Sequence, residues 1–128
     1  LAIVGKRRIS ATKVEAINVI GDVDGCDILL VDDMTETAGT LCAAADLLKE
    51  RGAGKIYAGV SHGVLGEIAR KRLADSVIEE LITTDSTPMA TGPKVTTISI
   101  AGLMGEGISR IHNDESVTSL FDIGQNEE

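Results

Sequence analysis

The strongest constraint on the fold of this sequence is the alternation of short apolar runs with longer amphipathic stretches. Apolar runs typical of buried strands lie at residues 26–31, 55–60, 77–82 and 95–100. Stretches with the helical spacing of apolar residues follow the first, second and fourth runs, at residues 40–51, 65–74 and 103–111. Because strands that alternate with helices form βαβ units around a parallel sheet, the sequence predicts an α/β fold with a mainly parallel sheet flanked by helices.

The helix after the first apolar run has the clearest pattern. Its apolar residues follow the i, i+3, i+4, i+7 spacing of one helix face, and they are Leu41, Ala44, Ala45 and Leu48. Gly52 is predicted to end this helix, because glycine readily adopts the left-handed conformation found just after a helix C-terminus.

The segment before the first apolar run is less regular. Residues 1–4 read as the tail of a strand, residues 5–13 are predicted to form an exposed cationic loop, and residues 14–20 are predicted to form another strand. Because a strand is already in progress at the first residue, which is not Met, we expect the chain to be part of a longer one. Its 128 residues are predicted to form a single domain.

Composition excludes several classes of function. The formal net charge is −8, and the aromatic residues are Tyr57 and Phe121. Nucleic-acid binders need a cationic surface and often stack bases on aromatic rings, so no nucleic-acid partner is expected. No apolar run approaches the length of a membrane span and no signal-peptide pattern is present, so we expect a cytoplasmic protein without a membrane partner. Cys26 and Cys42 are predicted to be buried free thiols rather than a disulfide.

Residues 31–40 join the end of the first apolar run to the following helix. In open α/β sheets, ligands bind where strands end and loops enter the next helix. The small residues 37–40 would allow successive backbone N–H groups to bind a phosphate. Asp32 and Asp33 would instead suit sugar hydroxyls or a hydrated Mg²⁺, so a sugar phosphate fits both parts. In the alternative interpretation, Thr40 only caps the helix and the acids only favour its N-terminus.

This segment, VDDMTETAGT, resembles the phosphoribosyl pyrophosphate binding motif of the phosphoribosyltransferase fold. Within that superfamily the chain most resembles the carboxyl-terminal half of the ribose-phosphate pyrophosphokinase family. Further segments resemble that family in the same order along the chain, at residues 1–8 (LAIVGKRR), 18–25 (NVIGDVDG), 61–63 (SHG), 84–88 (TDSTP) and 115–121 (ESVTSLF). The chain departs from the family pattern at Glu36 and Gly5, where the family usually has Asp.

The resemblance implies the Mg²⁺-dependent transfer of the diphosphoryl group of ATP to ribose 5-phosphate, in a symmetric homo-oligomer. It implies that the catalytic loop contributes Lys6 and Arg8, and that the ribose hydroxyls are bound by Asp32 and Asp33. The residues implied around the 5-phosphate are Glu36, Thr37, Ala38, Gly39 and Thr40. A C-terminal segment matches the family's allosteric site or a docking helix, and its residues are Ser116, Val117, Thr118 and Phe121.

Two other functions stay open at this point. A nucleobase phosphoribosyltransferase would consume phosphoribosyl pyrophosphate, and a regulatory subunit of the same fold would do no chemistry. Lys6, Arg8 and the C-terminal segment favour the synthetase, whose isolated fragment is expected to be inactive.

Several other polar residues have structural interpretations. The cations at 70–72 are predicted to face solvent. His62 is predicted to be structural or to support the site from behind, and His112 is predicted to interact with the C-terminal end of a helix dipole.

Overall fold

The computed structural model describes residues 1–10, 13–88 and 91–121, and for residues 6–10 and 13–18 it describes the backbone alone. Two compact units divide the chain, Leu1–Ile98 and Ser99–Glu128. The elements of the first unit are β1 (Ile3–Ser10), β2 (Lys13–Ile20), β3 (Ile28–Thr35), α1 (Gly39–Glu50), β4 (Ile56–Gly63), α2 (Glu67–Asp75), β5 (Ile78–Thr84) and β6 (Val95–Ile98). The second unit contains α3 (Ala101–His112) and a 3₁₀ helix (Thr118–Phe121).

The predicted α/β architecture is confirmed. A parallel sheet has the strand order β3-β4-β5-β6, and β1 and β2 form an antiparallel hairpin. In the parallel sheet Leu30 pairs with Ala58, and Ala58 pairs with Leu81. This register brings the carboxyl ends of β3 and β4 together, with Thr35 opposite Gly63.

The core lies where α1 packs against the strands. This helix contacts β2, β3, β4 and α2, and it buries the four apolar residues of the predicted stripe. β4, α2 and β5 contribute further buried residues, among them Ile56, Ala58, Val60, Ala69, Leu73, Ile78 and Leu81. Burial of apolar area at about 25 cal/mol per Å² is the main force that fixes α1 on the sheet.

The end of α1 follows the prediction made for Gly52. Gly52 has a φ of 88°, and its N–H donates to the Lys49 carbonyl oxygen at 3.1 Å. The N–H of Ala53 donates to the Leu48 carbonyl oxygen at 3.1 Å, which completes a Schellman motif. A residue other than glycine would be strained at this φ.

The predicted exposed loop at residues 5–13 is wrong. β1 continues to Ser10 and β2 begins at Lys13, with residues 11 and 12 outside the described residues. Cationic residues weaken the local strand signal, but pairing with β2 supplies the backbone hydrogen bonds whatever the side chains are.

β3 and β4 are longer at their carboxyl ends than the sequence predicts. Asp32 and Asp33 lie inside β3, and residues 61–63 lie inside β4, because the two strands stay paired as far as Thr35 and Gly63. Polar residues here do not end the strands, since the parallel pairing uses only backbone groups.

Two burial predictions are also corrected. Cys26 precedes β3 and is exposed, while Cys42 is half-buried, and both are free thiols. Ile68 is 63% exposed although it is one of the apolar residues of the helix predicted at residues 65–74. No helix among the described residues is long and apolar enough to cross a bilayer.

Candidate functional site

The candidate site is a cavity at the carboxyl end of β3. Its volume is about 270 Å³, and its lining residues all belong to the continuous segment 32–41. The structure thus places in one space all seven residues predicted to bind the sugar phosphate, which are Asp32, Asp33, Glu36, Thr37, Ala38, Gly39 and Thr40.

The loop that connects β3 to α1 ends in a left-handed residue. Ala38 immediately precedes the helix and has a φ of 54° and a ψ of 9°. A non-glycine residue pays on the order of 1 kcal/mol for this conformation. Ala38 is only 1% exposed, so packing around its methyl group holds it there. A left-handed residue next to a helical one turns successive N–H groups toward one side, which is an arrangement that binds anions.

The N-terminus of α1 has no side-chain cap and no acidic residue in its first turn. The N–H of Cys42 donates to the Ala38 carbonyl oxygen at 2.9 Å, so the N–H groups of Gly39, Thr40 and Leu41 precede the first intrahelical bond. Thr40 lies inside the helix, and the interpretation of Thr40 as its cap is wrong. Donors without intrahelical partners and the positive end of the helix dipole suit an anion.

Two carboxylates line the strand end of the same cavity. Asp32 is half-buried and Asp33 is exposed. The backbone N–H of Asp33 donates to a carboxylate oxygen of Asp32 at 3.0 Å, which orients that side chain. Ionised carboxylates only accept hydrogen bonds, so the ligand groups that fit them are hydroxyls or a cation. The segment therefore combines a place for an anion with a place for hydroxyl groups.

The side chains that line the cavity determine whether a metal ion could bind there. Within the described ranges, no group of three or more His, Cys, Asp or Glu side chains could hold a metal ion. Mg²⁺ commonly binds through one or two carboxylates together with substrate phosphates and waters. Asp32 and Asp33 fit that kind of site, in which the ligand supplies part of the coordination.

Arg72, which is predicted from the sequence to face solvent, contacts the loop that joins β3 to α1. Arg72 of α2 donates from Nη1 to the Thr37 carbonyl oxygen at 3.1 Å. Arg70 also has a partner, because its Nη1 donates to the Thr91 carbonyl oxygen at 3.3 Å. Arg72 is exposed, as predicted, although its guanidinium group contacts the loop, whereas Arg70 is half-buried and the solvent-facing prediction is wrong for it. No local sequence signal could have found the contact of Arg72, which joins positions 35 residues apart.

The neighbouring strand ends are joined by a network of hydroxyl groups. Thr84 donates from its hydroxyl to the Ser61 carbonyl oxygen at 2.7 Å, and Ser86 donates to the same oxygen at 3.0 Å. The Nδ1 atom of His62 lies 2.7 Å from the Ser86 hydroxyl. Two segments that resemble the family, 61–63 and 84–88, therefore meet at the carboxyl edge of the sheet. This arrangement agrees with a structural or supporting role for His62.

The remaining predicted residues lie away from this loop in the sequence. Lys6 and Arg8 belong to β1, where they pair with Ala16 and Val14 of β2, and their side chains are outside the description.

Cys42 follows Leu41 in α1, and burial raises the pKa of its thiol, partly offset by a hydrogen bond with Ser76. A thiol of raised pKa is less often the reactive thiolate, so the structure gives no reason to assign Cys42 a nucleophilic role.

In the second unit, the predicted allosteric segment is held by Arg110 of α3. Its Nη1 donates to the Ser119 hydroxyl at 2.6 Å and to the Ser116 carbonyl oxygen at 3.3 Å. Phe121 is 78% exposed. Arg110 and His112 occupy the last turn of α3, where cations interact favourably with the helix dipole, as predicted for His112.

Comparison with known proteins shows which protein family this chain is similar to. Residues 6–122 match the family described as the phosphoribosyl synthetase-associated domain. The chain is 48% identical over 122 residues to the ribose-phosphate pyrophosphokinase of Helicobacter hepaticus, and 46% identical over 125 residues to that of Vibrio vulnificus. Each alignment covers 94% of this chain and 40% of the relative, so the chain spans about two fifths of the length of these curated relatives.

A solved structure shares the fold. The crystal structure of phosphoribosylpyrophosphate synthetase from Mycobacterium smegmatis matches with a TM-score of 0.72 and 34% sequence identity, over 82% of this chain and 35% of that one. The family match at residues 6–122 includes the parallel sheet, the cavity segment and α3. On this combined agreement of sequence and fold, the chain belongs to the family of the phosphoribosyl synthetase-associated domain.

Proposed function

We propose that this chain is the ribose 5-phosphate-binding, carboxyl-terminal half of a ribose-phosphate pyrophosphokinase, and acts there as one phosphoribosyltransferase-like domain. Such an enzyme transfers the diphosphoryl group of ATP to the anomeric hydroxyl of ribose 5-phosphate and releases AMP. The observation that carries the proposal is the cavity of segment 32–41, where two carboxylates and an uncapped helix N-terminus line one space. The similarity to ribose-phosphate pyrophosphokinases along 94% of the chain supports the same reaction.

In this proposal the 5-phosphate binds at the N-terminus of α1. The backbone N–H groups of residues 38–40 donate to its oxygens, and the hydroxyl groups of Thr37 and Thr40 add further donors. Glu36 is exposed and lines the same cavity, where its carboxylate would disfavour the entry of a second anionic group. No acidic residue of the first helical turn competes with the phosphate.

Asp32 and Asp33 bind the ribose hydroxyls. Each carboxylate accepts hydrogen bonds from sugar hydroxyls, and the two together orient the ring relative to the phosphate. A ligand bound at both ends has its anomeric hydroxyl held in a fixed place for attack on ATP. This positioning is the main contribution that a protein makes to phosphoryl-type transfer.

Lys6 and Arg8 supply positive charge for the transferred phosphates. They lie in the β1–β2 hairpin rather than in a loop, so we propose that the hairpin carries them toward ATP as a unit. Cations placed where negative charge develops lower the barrier of such a transfer.

The remaining parts of the proposal concern the surroundings of the enzyme. Mg²⁺ supplies charge neutralisation when it is bound, and Asp32 and Asp33 are the residues that would hold it together with substrate phosphates. We also propose a cytoplasmic homo-oligomer that binds ATP and ribose 5-phosphate. The segment with Ser116, Val117, Thr118 and Phe121 stays a proposed allosteric site.

The assay that tests the proposal measures AMP formed from ATP and ribose 5-phosphate by the whole enzyme with this chain in place. We expect AMP and phosphoribosyl pyrophosphate in equal amounts. Release of diphosphate from phosphoribosyl pyrophosphate on addition of a nucleobase would instead identify a phosphoribosyltransferase. Failure to catalyse either reaction, with ribose 5-phosphate binding retained, would identify a regulatory subunit and contradict the proposal.

A further inference from the structure

We propose that Arg72 is a positioning residue for the loop that binds the 5-phosphate, although it belongs to α2 and lies outside the segment that lines the cavity. This inference rests on the proposed function. Arg72 donates from Nη1 to the Thr37 carbonyl oxygen at 3.1 Å. The bond joins a helix to a short loop whose other neighbours are β3 and α1.

The contact between Arg72 and the Thr37 carbonyl also orients the N–H of Ala38, because both groups belong to the same peptide bond. All peptide bonds of the described chain are trans, so the carbonyl of Thr37 and the N–H of Ala38 point in opposite directions. When Arg72 binds the carbonyl, the N–H of Ala38 points away from Arg72. Fixing one end of this peptide therefore fixes the direction of a donor that we assign to the phosphate.

The loop separates Arg72 from the proposed ligand. A second cavity of about 540 Å³ is lined by Arg72 and Asp46 together with residues of the loop. Thr37, Gly39 and Thr40 line both this cavity and the main one. Arg72 thus acts on the loop from the second cavity, while the phosphate binds in the main one.

Gly39 makes room for the guanidinium group. A Cβ at this position would lie 3.0 Å from Arg72 Nη1 and 3.5 Å from the Thr37 hydroxyl oxygen. The φ of Gly39 is not among the positive values of the chain, so alanine is compatible with the backbone there. A methyl group at residue 39 would therefore act mainly by displacing the end of the Arg72 side chain.

Arg72 itself is exposed, so its contact contributes little to global stability. Its effect should be on ligand affinity, because the bond restrains a loop that must present several donors at once. This separation of affinity from stability distinguishes a positioning role from a structural one.

The test compares Arg72→Met, Arg72→Lys and the control Lys71→Met in the 128-residue chain. Methionine keeps an unbranched stem and removes the donors, whereas lysine restores one donor and the charge. We expect Arg72→Met to weaken ribose 5-phosphate binding about threefold to tenfold in calorimetry, in keeping with an exposed charge-assisted hydrogen bond. Arg72→Lys should recover part of the loss, and Lys71→Met should match the parent. Thermal unfolding should be nearly unchanged in all three.

Two further readouts report on the loop itself. The amide NMR signal of Ala38 should shift in Arg72→Met and stay in place in Lys71→Met, because the Thr37 carbonyl loses its donor only in the former. Gly39→Ala should weaken binding in the parent but have a smaller effect in the Arg72→Met background, since the displaced group is already absent.

The outcomes separate this inference from the proposed function. If the parent chain binds ribose 5-phosphate and Arg72→Met binds it equally well with an unshifted Ala38 signal, the positioning role is overturned and the proposed function stands. If the parent chain does not bind ribose 5-phosphate, the proposed function fails, and a shifted Ala38 signal would then show only that Arg72 contacts the loop.

Discussion

At the residue scale, the proposed function divides the candidate site into residues that donate hydrogen bonds to a phosphate and residues that accept them from hydroxyls. Thr40→Val keeps the side-chain shape but removes a donor. One charge-assisted hydrogen bond contributes about 1.5 to 3 kcal/mol, so we expect affinity for ribose 5-phosphate to fall about tenfold to a hundredfold. Inorganic phosphate should lose affinity in the same proportion, measured by calorimetric titration of both ligands.

Asp33→Asn is the counterpart of Thr40→Val in a residue that we propose to bind the ribose hydroxyls. It should weaken ribose 5-phosphate and spare inorganic phosphate, which has no hydroxyl pair for the carboxylate to accept from. Equal weakening of both ligands by Asp33→Asn would show that the two groups of residues do not have separate roles.

At the scale of elements, α1 gives up some stability at its N-terminus. An acidic residue in the first turn normally stabilises a helix by about 0.3 to 1 kcal/mol, yet α1 has none there. Thr40→Glu should therefore keep or slightly raise the free energy of unfolding, while it abolishes ribose 5-phosphate binding by repulsion. Denaturant unfolding and calorimetry on the same sample measure both effects. Loss of stability in parallel with loss of binding would contradict this explanation.

The β1–β2 hairpin carries the proposed catalytic cations, and its test belongs in the whole enzyme. Lys6→Ala and Arg8→Ala should each lower kcat about a hundredfold to a thousandfold, as is typical for cations that act mainly in the transition state. The KM for ribose 5-phosphate should change little, and Arg7→Ala is the control with a much smaller effect. A near-parent kcat in both variants would favour the regulatory-subunit interpretation.

Elements with a strong local pattern could be predicted from the sequence. The stripe of α1 and its stop at Gly52 depend on residues close together in the chain, and the structure confirms both. The strand predicted at residues 14–20 lies in β2, but the continuation of β1 to Ser10 could not be predicted, because that part of the strand is held by pairing with β2 rather than marked by an apolar alternation. The ends of β3 and β4 were missed for the same reason, since parallel pairing continues through polar residues.

The residues of the candidate site also divide into those that a local sequence pattern reveals and one, Arg72, that it does not. The lining of the site comes from one continuous segment, so the motif at residues 31–40 contains every lining residue except Leu41. Arg72 approaches from another helix, and a contact between positions 35 residues apart leaves no periodic or local pattern.

At the scale of the whole molecule, packing of the parallel sheet buries the side chain of Thr83 in β5. Thr83 is 1% exposed, and its hydroxyl has no hydrogen-bond partner among the described residues. Thr83→Val has the same shape and removes this cost, so it should raise the free energy of unfolding by about 1 to 2 kcal/mol. Thr84→Val is the control and should lower it, because the Thr84 hydroxyl donates to the Ser61 carbonyl oxygen at 2.7 Å. A lower melting temperature for Thr83→Val would contradict this prediction.

The central claim is that one segment of the molecule binds both ends of a sugar phosphate. Calorimetric titration of the 128-residue chain with ribose 5-phosphate, ribose and inorganic phosphate tests it most directly. We predict saturable heat with ribose 5-phosphate, weaker binding of phosphate and almost none of ribose, because the helix N-terminus supplies most of the affinity. An equal response to ribose and ribose 5-phosphate, or no response to either, would contradict the assignment of the site.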